Sequence, residues 1–170
     1  MRRPLLAIAA AALSSCGYHV GGRATLLPKT VRTIAVPAFG NATPFVRLTG
    51  LLTQDVTREF LSRTKYNVVA DPAQADAILS GTVVNFINTP IVYNPQGNRA
   101  TGVQVLLILQ LTLTDRHTGQ VLFSRPAAEF RERYEIAIDP QQYFNESGTA
   151  LQRLSRDVSR SVVTQILEAF

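Results

Sequence analysis

Val103-Gln104-Val105-Leu106-Leu107-Ile108-Leu109-Gln110-Leu111-Thr112-Leu113 is the stretch on which the fold turns. Val103, Val105, Leu107, Leu109, Leu111 and Leu113 recur at a strict period of two. Successive side chains of a strand point to opposite faces, so this run makes a strand with one wholly apolar face. The other face is mixed, carrying Gln104, Gln110, Thr112 and Thr114 beside Leu106 and Ile108.

On the C-terminal side, Asp115-Arg116-His117-Thr118-Gly119 supplies turn residues, and a second strand follows from about Gln120 to Ile138. Pro126 marks a bulge or an edge in it. If Asp115 pairs with Gln120, Val103 falls opposite Glu132. Leu122, Phe130 and Tyr134 then share the leucine face, while Arg125, Arg131 and Arg133 point away. Glu132 is awkward on that inner face unless it lies at the rim. On the N-terminal side, Asn94, Pro95, Gly97 and Asn98 form a loop, preceded by a strand from Ile78 to about Val92. Upstream, Tyr66-Asn67-Val68-Val69 is a short strand that Asp71-Pro72 breaks.

Two stretches change period. Phe45, Leu48, Leu52, Val56 and Phe60 recur at three or four residues, predicting a helix that buries one face. Thr43 suits its cap and Pro44 its first turn. Asp55, Arg58, Glu59 and Arg63 lie off the stripe, with Glu59 and Arg63 spaced for a surface pair. Near the C-terminus, Leu151, Leu154, Val158, Val162, Ile166 and Phe170 make a second apolar stripe, beside a basic one of Arg153, Arg156 and Arg160. Before the first helix, Val31-Arg32-Thr33-Ile34-Ala35-Val36-Pro37 is a β-branched strand stopped by Pro37 and the turn residues Gly40-Asn41. The order β-α-β-β-β-α predicts an α+β domain: about four strands in a mixed sheet, with both helices packed on one face, the leucine face.

The N-terminus belongs to another kind of segment. Arg2 and Arg3 precede the apolar run Leu5 to Leu13, and Leu13-Ser14-Ser15-Cys16 follows. A basic start, a short apolar run and small residues form a secretory signal, too short for a membrane span of roughly 20 residues. Its end resembles the bacterial lipobox, whose Cys is lipidated and becomes the first mature residue. A thiolate is a good nucleophile for accepting a diacylglyceryl group. Residues 1–15 are therefore expected to be a signal peptide, 16–30 a lipidated tether with Gly17, Gly21 and Gly22, and 31–170 one domain. The 155 residues from Cys16 onward suffice for a substantial core. Cys16 is the sole cysteine, and once its thiol is acylated the mature chain can form no disulfide. Gly17, where an inner-membrane lipoprotein would carry Asp, favours the outer membrane of a Gram-negative host, on its periplasmic face.

Loss of Arg2 and Arg3 lowers the formal charge from +5 to +3. No dense Lys/Arg cluster appears, which argues against nucleic acid. His19 and His117 stand in no metal-ligand spacing. No phosphate loop, nucleophile elbow or paired carboxylates occur, so no catalytic residue, cofactor or metal is assigned, and no enzyme activity is expected.

Cys16-Gly17-Tyr18-His19-Val20, Val31 to Pro37 with Phe39 and Asn41, and Phe144-Asn145-Glu146 with the helix after it resemble the LPS-assembly lipoprotein LptE family. The resemblance implies a non-enzymatic partner of the outer-membrane β-barrel LptD. Such a partner plugs the barrel, helps it assemble and assists lipopolysaccharide on its way to the outer leaflet. It also implies two helices against a four-stranded sheet. In an antiparallel meander the 93–101 loop and the far end of the last strand share one end of the sheet. Arg99, Arg131 and Arg133 are then candidates to meet lipid A phosphates, where Arg offers forked donors. Ordinary solvated surface charges are the plainer reading of the three, and the basic helix stripe is a competing contact. A free periplasmic lipid- or glycan-binding lipoprotein is the alternative function, and a lipid-anchored envelope enzyme a third.

Overall fold

In the computed structural model, residues 27–28, 30–94, 99–135 and 140–170 are described, with backbone alone at 92–94, 99–101, 134–135 and 140–147. The elements are β1 (Thr33–Ala35), β2 (Gly40–Asn41), α1 (Val46–Arg63), β3 (Asn67–Val69), a 3-10 turn (Pro72–Gln74), β4 (Ala77–Asn94), β5 (Arg99–Asp115), β6 (Val121–Glu135) and α2 (Pro140–Glu168). The sheet is mixed, in the order β3-β1-β4-β5-β6, with β2 pairing β4 off that path. The α+β class is as expected, but there are six strands rather than about four.

Of the six, β3 answers to the short strand read at residues 66–69, and β2 is unexpected. Asp71-Pro72 does more than interrupt one strand. Asp71 Oδ1 accepts the Ala73 N–H at 2.9 Å and starts the 3-10 turn. That turn carries the chain from β3, on one side of β1, to β4 on the other, and both neighbours run parallel to β1. Gly40-Asn41, expected as a turn, instead pairs with Thr82-Val83 as the two-residue strand β2. Close approach there depends on Gly81, since a Cβ at that position would meet the Phe39 ring at 2.6 Å.

The leucine face is the floor of the core. Val105, Leu107, Leu109, Leu111 and Leu113 are all 0% exposed. Above them lie Leu48, Leu52, Val56 and Phe60 of α1, and Leu154, Val158, Val162 and Ile166 of α2. Burying a side chain of this size contributes about 1.5–3 kcal/mol, so this layer dominates stability. Phe45 departs from the expected stripe, being 39% exposed with its ring 4.5 Å from that of Phe86. Thr43 does not cap α1 and Pro44 precedes it, because the Thr43 hydroxyl is bonded to Asn41 Oδ1 and accepts the Phe45 N–H. Phe45 occupies the cap position with no side-chain acceptor.

The β5–β6 hairpin closes as expected, with the Asp115 N–H donating to the Gln120 carbonyl at 2.8 Å. Further along, register shifts between Leu113/Thr114 and Leu109/Leu111 move β6 by two positions. Val103 therefore faces Tyr134, and Glu132 faces Val105. Phe123, opposite Leu113, takes the buried place expected of Leu122, which is half-buried. One shift lies at Pro126-Ala127, where proline lacks the N–H a regular ladder would require. Two one-residue bulges restore the original parity, so Phe130 still shares the leucine face.

Both helices run in the same direction. Asp55 of α1 bonds Ser155 of α2, and eight residues on Arg63 reaches Thr164. Ser155 and Ser159, buried between the helices, are small enough to let the two backbones approach.

Candidate functional site

Beyond the short strands, the sheet continues as a three-stranded ribbon. β1 pairs only with Ala77-Ile78, and β2 only with Thr82-Val83. From Asn85 to Asn94, β4 has β5 as its only strand neighbour among the described residues. The ribbon is where the three candidate arginines lie.

Arg131 faces Leu106 and Arg133 faces Gln104, both on the face opposite the buried leucines. Two positions apart on one strand, they stand about 7 Å from each other. Both are exposed. Arg131 donates to Glu129 Oε2 at 2.7 Å, so part of its charge is already answered. Arg133 makes no ion pair among the described residues. Arg99 is the first residue of β5, opposite Asn94 and at the same end of the sheet. It stands five residues from Gln104, about 17 Å along the strand. Arg131 and Arg133 thus sit together on one face of β6, and Arg99 lies further out on the same ribbon. Cys16 lies outside the described residues.

The competing stripe is also solvent-facing. Arg153, Arg156 and Arg160 are exposed on α2, and Arg160 lies 4.0 Å from Asp157.

The opposite end of the molecule holds two features that sequence spacing did not suggest. At the start of β1, Asp76 Oδ2 accepts the backbone N–H groups of Arg32 and Thr33, each at 2.9 Å. These donors, Arg32 first, hold its carboxyl below the ordinary aspartate value of 3.8. His117 Nε2 stands 3.6 Å from Asp76 Oδ1, linking the β5–β6 turn to β1. The turn itself is held by Asp115, whose Oδ1 accepts the N–H groups of His117 and Thr118, and Asp115 is also lowered, chiefly by the Thr118 N–H. No group of three or more His, Cys, Asp and Glu among the described residues is arranged to hold a metal.

The second feature is an open cavity of about 520 Å³ bounded by Val31, Arg32, Arg63, Lys65 and Tyr66. Its three cations come from the approach to β1, the last turn of α1 and the link to β3. Arg32 is far in sequence from Arg63 and Lys65, so no single local motif announces the group. Arg63 is held by Glu59 Oε1 at 3.3 Å and Thr164 Oγ1 at 2.7 Å, in part the surface pair expected from spacing. Burial raises the Tyr66 phenol above its ordinary value, against a smaller opposing effect of the Leu27 backbone.

No helix among the described residues is long and apolar enough to cross a membrane. Against known proteins, the family model LptE, described as lipopolysaccharide-assembly, matches residues 31–166. No curated protein matches significantly. The fold is similar to that of a protein from Xanthomonas campestris, with a TM-score of 0.55 at 16% identity, covering 85% of this chain and 90% of that one. Lipoprotein B from Nitrosomonas europaea aligns at a TM-score of 0.50 and 17% identity, covering 89% and 88% of the two chains. Rare lipoprotein B from Shewanella oneidensis aligns at 0.50 and 10% identity, covering 79% and 92%. At such identities these likenesses establish a shared fold.

Proposed function

The chain belongs to the LptE family of lipopolysaccharide-assembly proteins, and from that premise we propose that it is a non-enzymatic outer-membrane lipoprotein. In this reading Cys16 carries the acyl chains and holds the protein on the periplasmic face. One chain binds a membrane only marginally, so stable anchoring takes two or more. The folded body plugs an LptD-like β-barrel, helps it assemble and assists lipopolysaccharide transport to the outer leaflet.

The observation that carries the reading is the family match, which spans the folded body from β1 into the last turns of α2. The ribbon agrees with it. Its outer face presents Arg131 and Arg133 side by side, and β5 begins at Arg99 further toward the tip. Guanidinium groups spaced in this way suit the separated phosphates of a lipid A head group, each offering paired N–H donors to one phosphate.

Co-purification from native membranes tests the plug. A stable complex with a large heat-modifiable barrel is the expected result. Recovery of a soluble monomer holding lipid or glycan would replace it with a free periplasmic binding protein.

A further inference from the structure

We propose that the cavity bounded by Val31, Arg32, Arg63, Lys65 and Tyr66 is a second lipid site, which takes the anionic headgroup of a phospholipid in the leaflet that anchors the chain. It lies at the opposite end of the sheet from the arginine ribbon. Arg32 flanks β1, whose partners are the first residues of β4, whereas Arg131 and Arg133 lie deep in the distal hairpins.

Three observations support the chemistry. First, the cations outnumber their local acids. Glu59 pairs with Arg63, while Arg32 and Lys65 make no side-chain ion pair among the described residues. Second, the end of α1 does not consume these charges. Its Phe60 carbonyl is closed by the backbone N–H and hydroxyl of Thr64, at 3.0 and 2.7 Å. Third, the cations do not border a purely polar cleft. Val31 is buried and Tyr66 half-buried against the core, so the cavity joins an apolar wall to a charged rim. A free inorganic anion would use only the rim. An amphiphile with an anionic head uses both.

Position selects the source of that amphiphile. Leu27 is buried beside Pro28, whose carbonyl accepts the N–H of cavity-lining Val31 at 2.7 Å. Leu27 follows Cys16 by eleven positions, a reach of at most about 38 Å when fully extended. This cavity therefore lies at the tethered end of the folded body, within reach of the headgroup layer. That placement rests on the Cys16 anchor of the proposed function; the binding chemistry does not.

The test uses the full mature chain in a non-ionic detergent, titrated with dihexanoyl phosphatidylglycerol, dihexanoyl phosphatidylcholine or inorganic phosphate. Backbone resonances of Val31 and Asn67 and the Tyr66 ring report binding. Saturable shifts with phosphatidylglycerol, absent with phosphatidylcholine and much weaker with phosphate, are expected. Replacing Arg32→Gln and Lys65→Gln together should weaken binding about fivefold, the scale of losing two exposed charge contacts. If that double variant does not fold, Lys65→Gln alone should still weaken binding measurably, because this exposed side chain has no ion pair to lose. Equal response to phosphatidylcholine, equal response to phosphate, or unaltered binding by a folded variant would each overturn the site. Mass spectrometry of Cys16 reads the anchor separately, so failure of one reading is distinguishable from failure of the other.

Discussion

The buried hydroxyl of Ser155, on α2, donates a 2.6 Å hydrogen bond to Oδ2 of Asp55, on α1, one hundred positions earlier in the chain. Asp55 Oδ1 meets Arg58 at 2.9 Å on its outer side. A carboxylate taken out of water this far must have its lone pairs answered, and one of its donors comes from the neighbouring helix. Ser155→Ala should therefore cost about 1–3 kcal/mol in urea unfolding, the scale of an orphaned buried acceptor. An effect near zero would mean that water replaces the hydroxyl.

Leu109 sits at the middle of the buried face and is 0% exposed. Leu109→Ala should destabilise by about 2–5 kcal/mol, combining lost transfer energy with a residual cavity. Chemical denaturation measures it. A change below about 0.5 kcal/mol would show that the floor of the core relaxes around the loss.

Acid stability should depend on Asp76. Its folded-state pKa lies below the ordinary 3.8, so the folded state holds the carboxylate more strongly than the unfolded chain does. That contribution is fully present above 3.8 and is lost as pH falls from there through the folded value. Asp76→Asn should flatten the stability curve in this acid window, and unfolding experiments at stepped pH will read the difference. Both curves falling in parallel would contradict the role of the Arg32 and Thr33 donors.

For the ribbon, replacing Arg99, Arg131 and Arg133 together by Glu should weaken lipopolysaccharide binding while leaving the fold and barrel complex intact. Rising salt should weaken wild-type binding as well, since exposed charges are screened over about 8–10 Å at physiological ionic strength. The matched triple replacement of Arg153, Arg156 and Arg160 is the control. Unchanged affinity in the ribbon variant, with loss in the helix variant, would move the contact to α2.

Cys16→Ser should block processing, or yield a protein released from membranes by mild washing. Mass spectrometry of the native protein is expected to find a lipidated Cys16 at the mature N-terminus. Any other N-terminus there would rule out the anchor.

Much of the layer structure is legible without coordinates, because it follows from periodicity alone. Alternation from Val103 to Leu113 requires one buried strand face, and the stripes Leu48-Leu52-Val56-Phe60 and Leu154-Val158-Val162-Ile166 require two helices to cover it. The turn at Asp115–Gly119 was equally local, since Asp115 binds N–H groups two and three residues ahead and Gly119 takes a φ of +72°. Arg131 and Arg133 share a face for the same reason, being two positions apart on one strand.

What tertiary structure decided is how distant segments share polar groups and backbone edges. Asp55 counts as an off-stripe surface acid until α2 brings Ser155 against it. The two-residue β2 exists only because β4 offers it unpaired N–H and C=O groups. The slip of Val103 from Glu132 to Tyr134 came from bulges at Leu122 and around Pro126, which the turn could not dictate from its own end of the hairpin. The Arg32–Arg63–Lys65 cavity is the extreme case. Periodicity is a property of one segment's own geometry and travels with its sequence, whereas a shared cavity or hydrogen bond depends on where the crossover helix returns the chain.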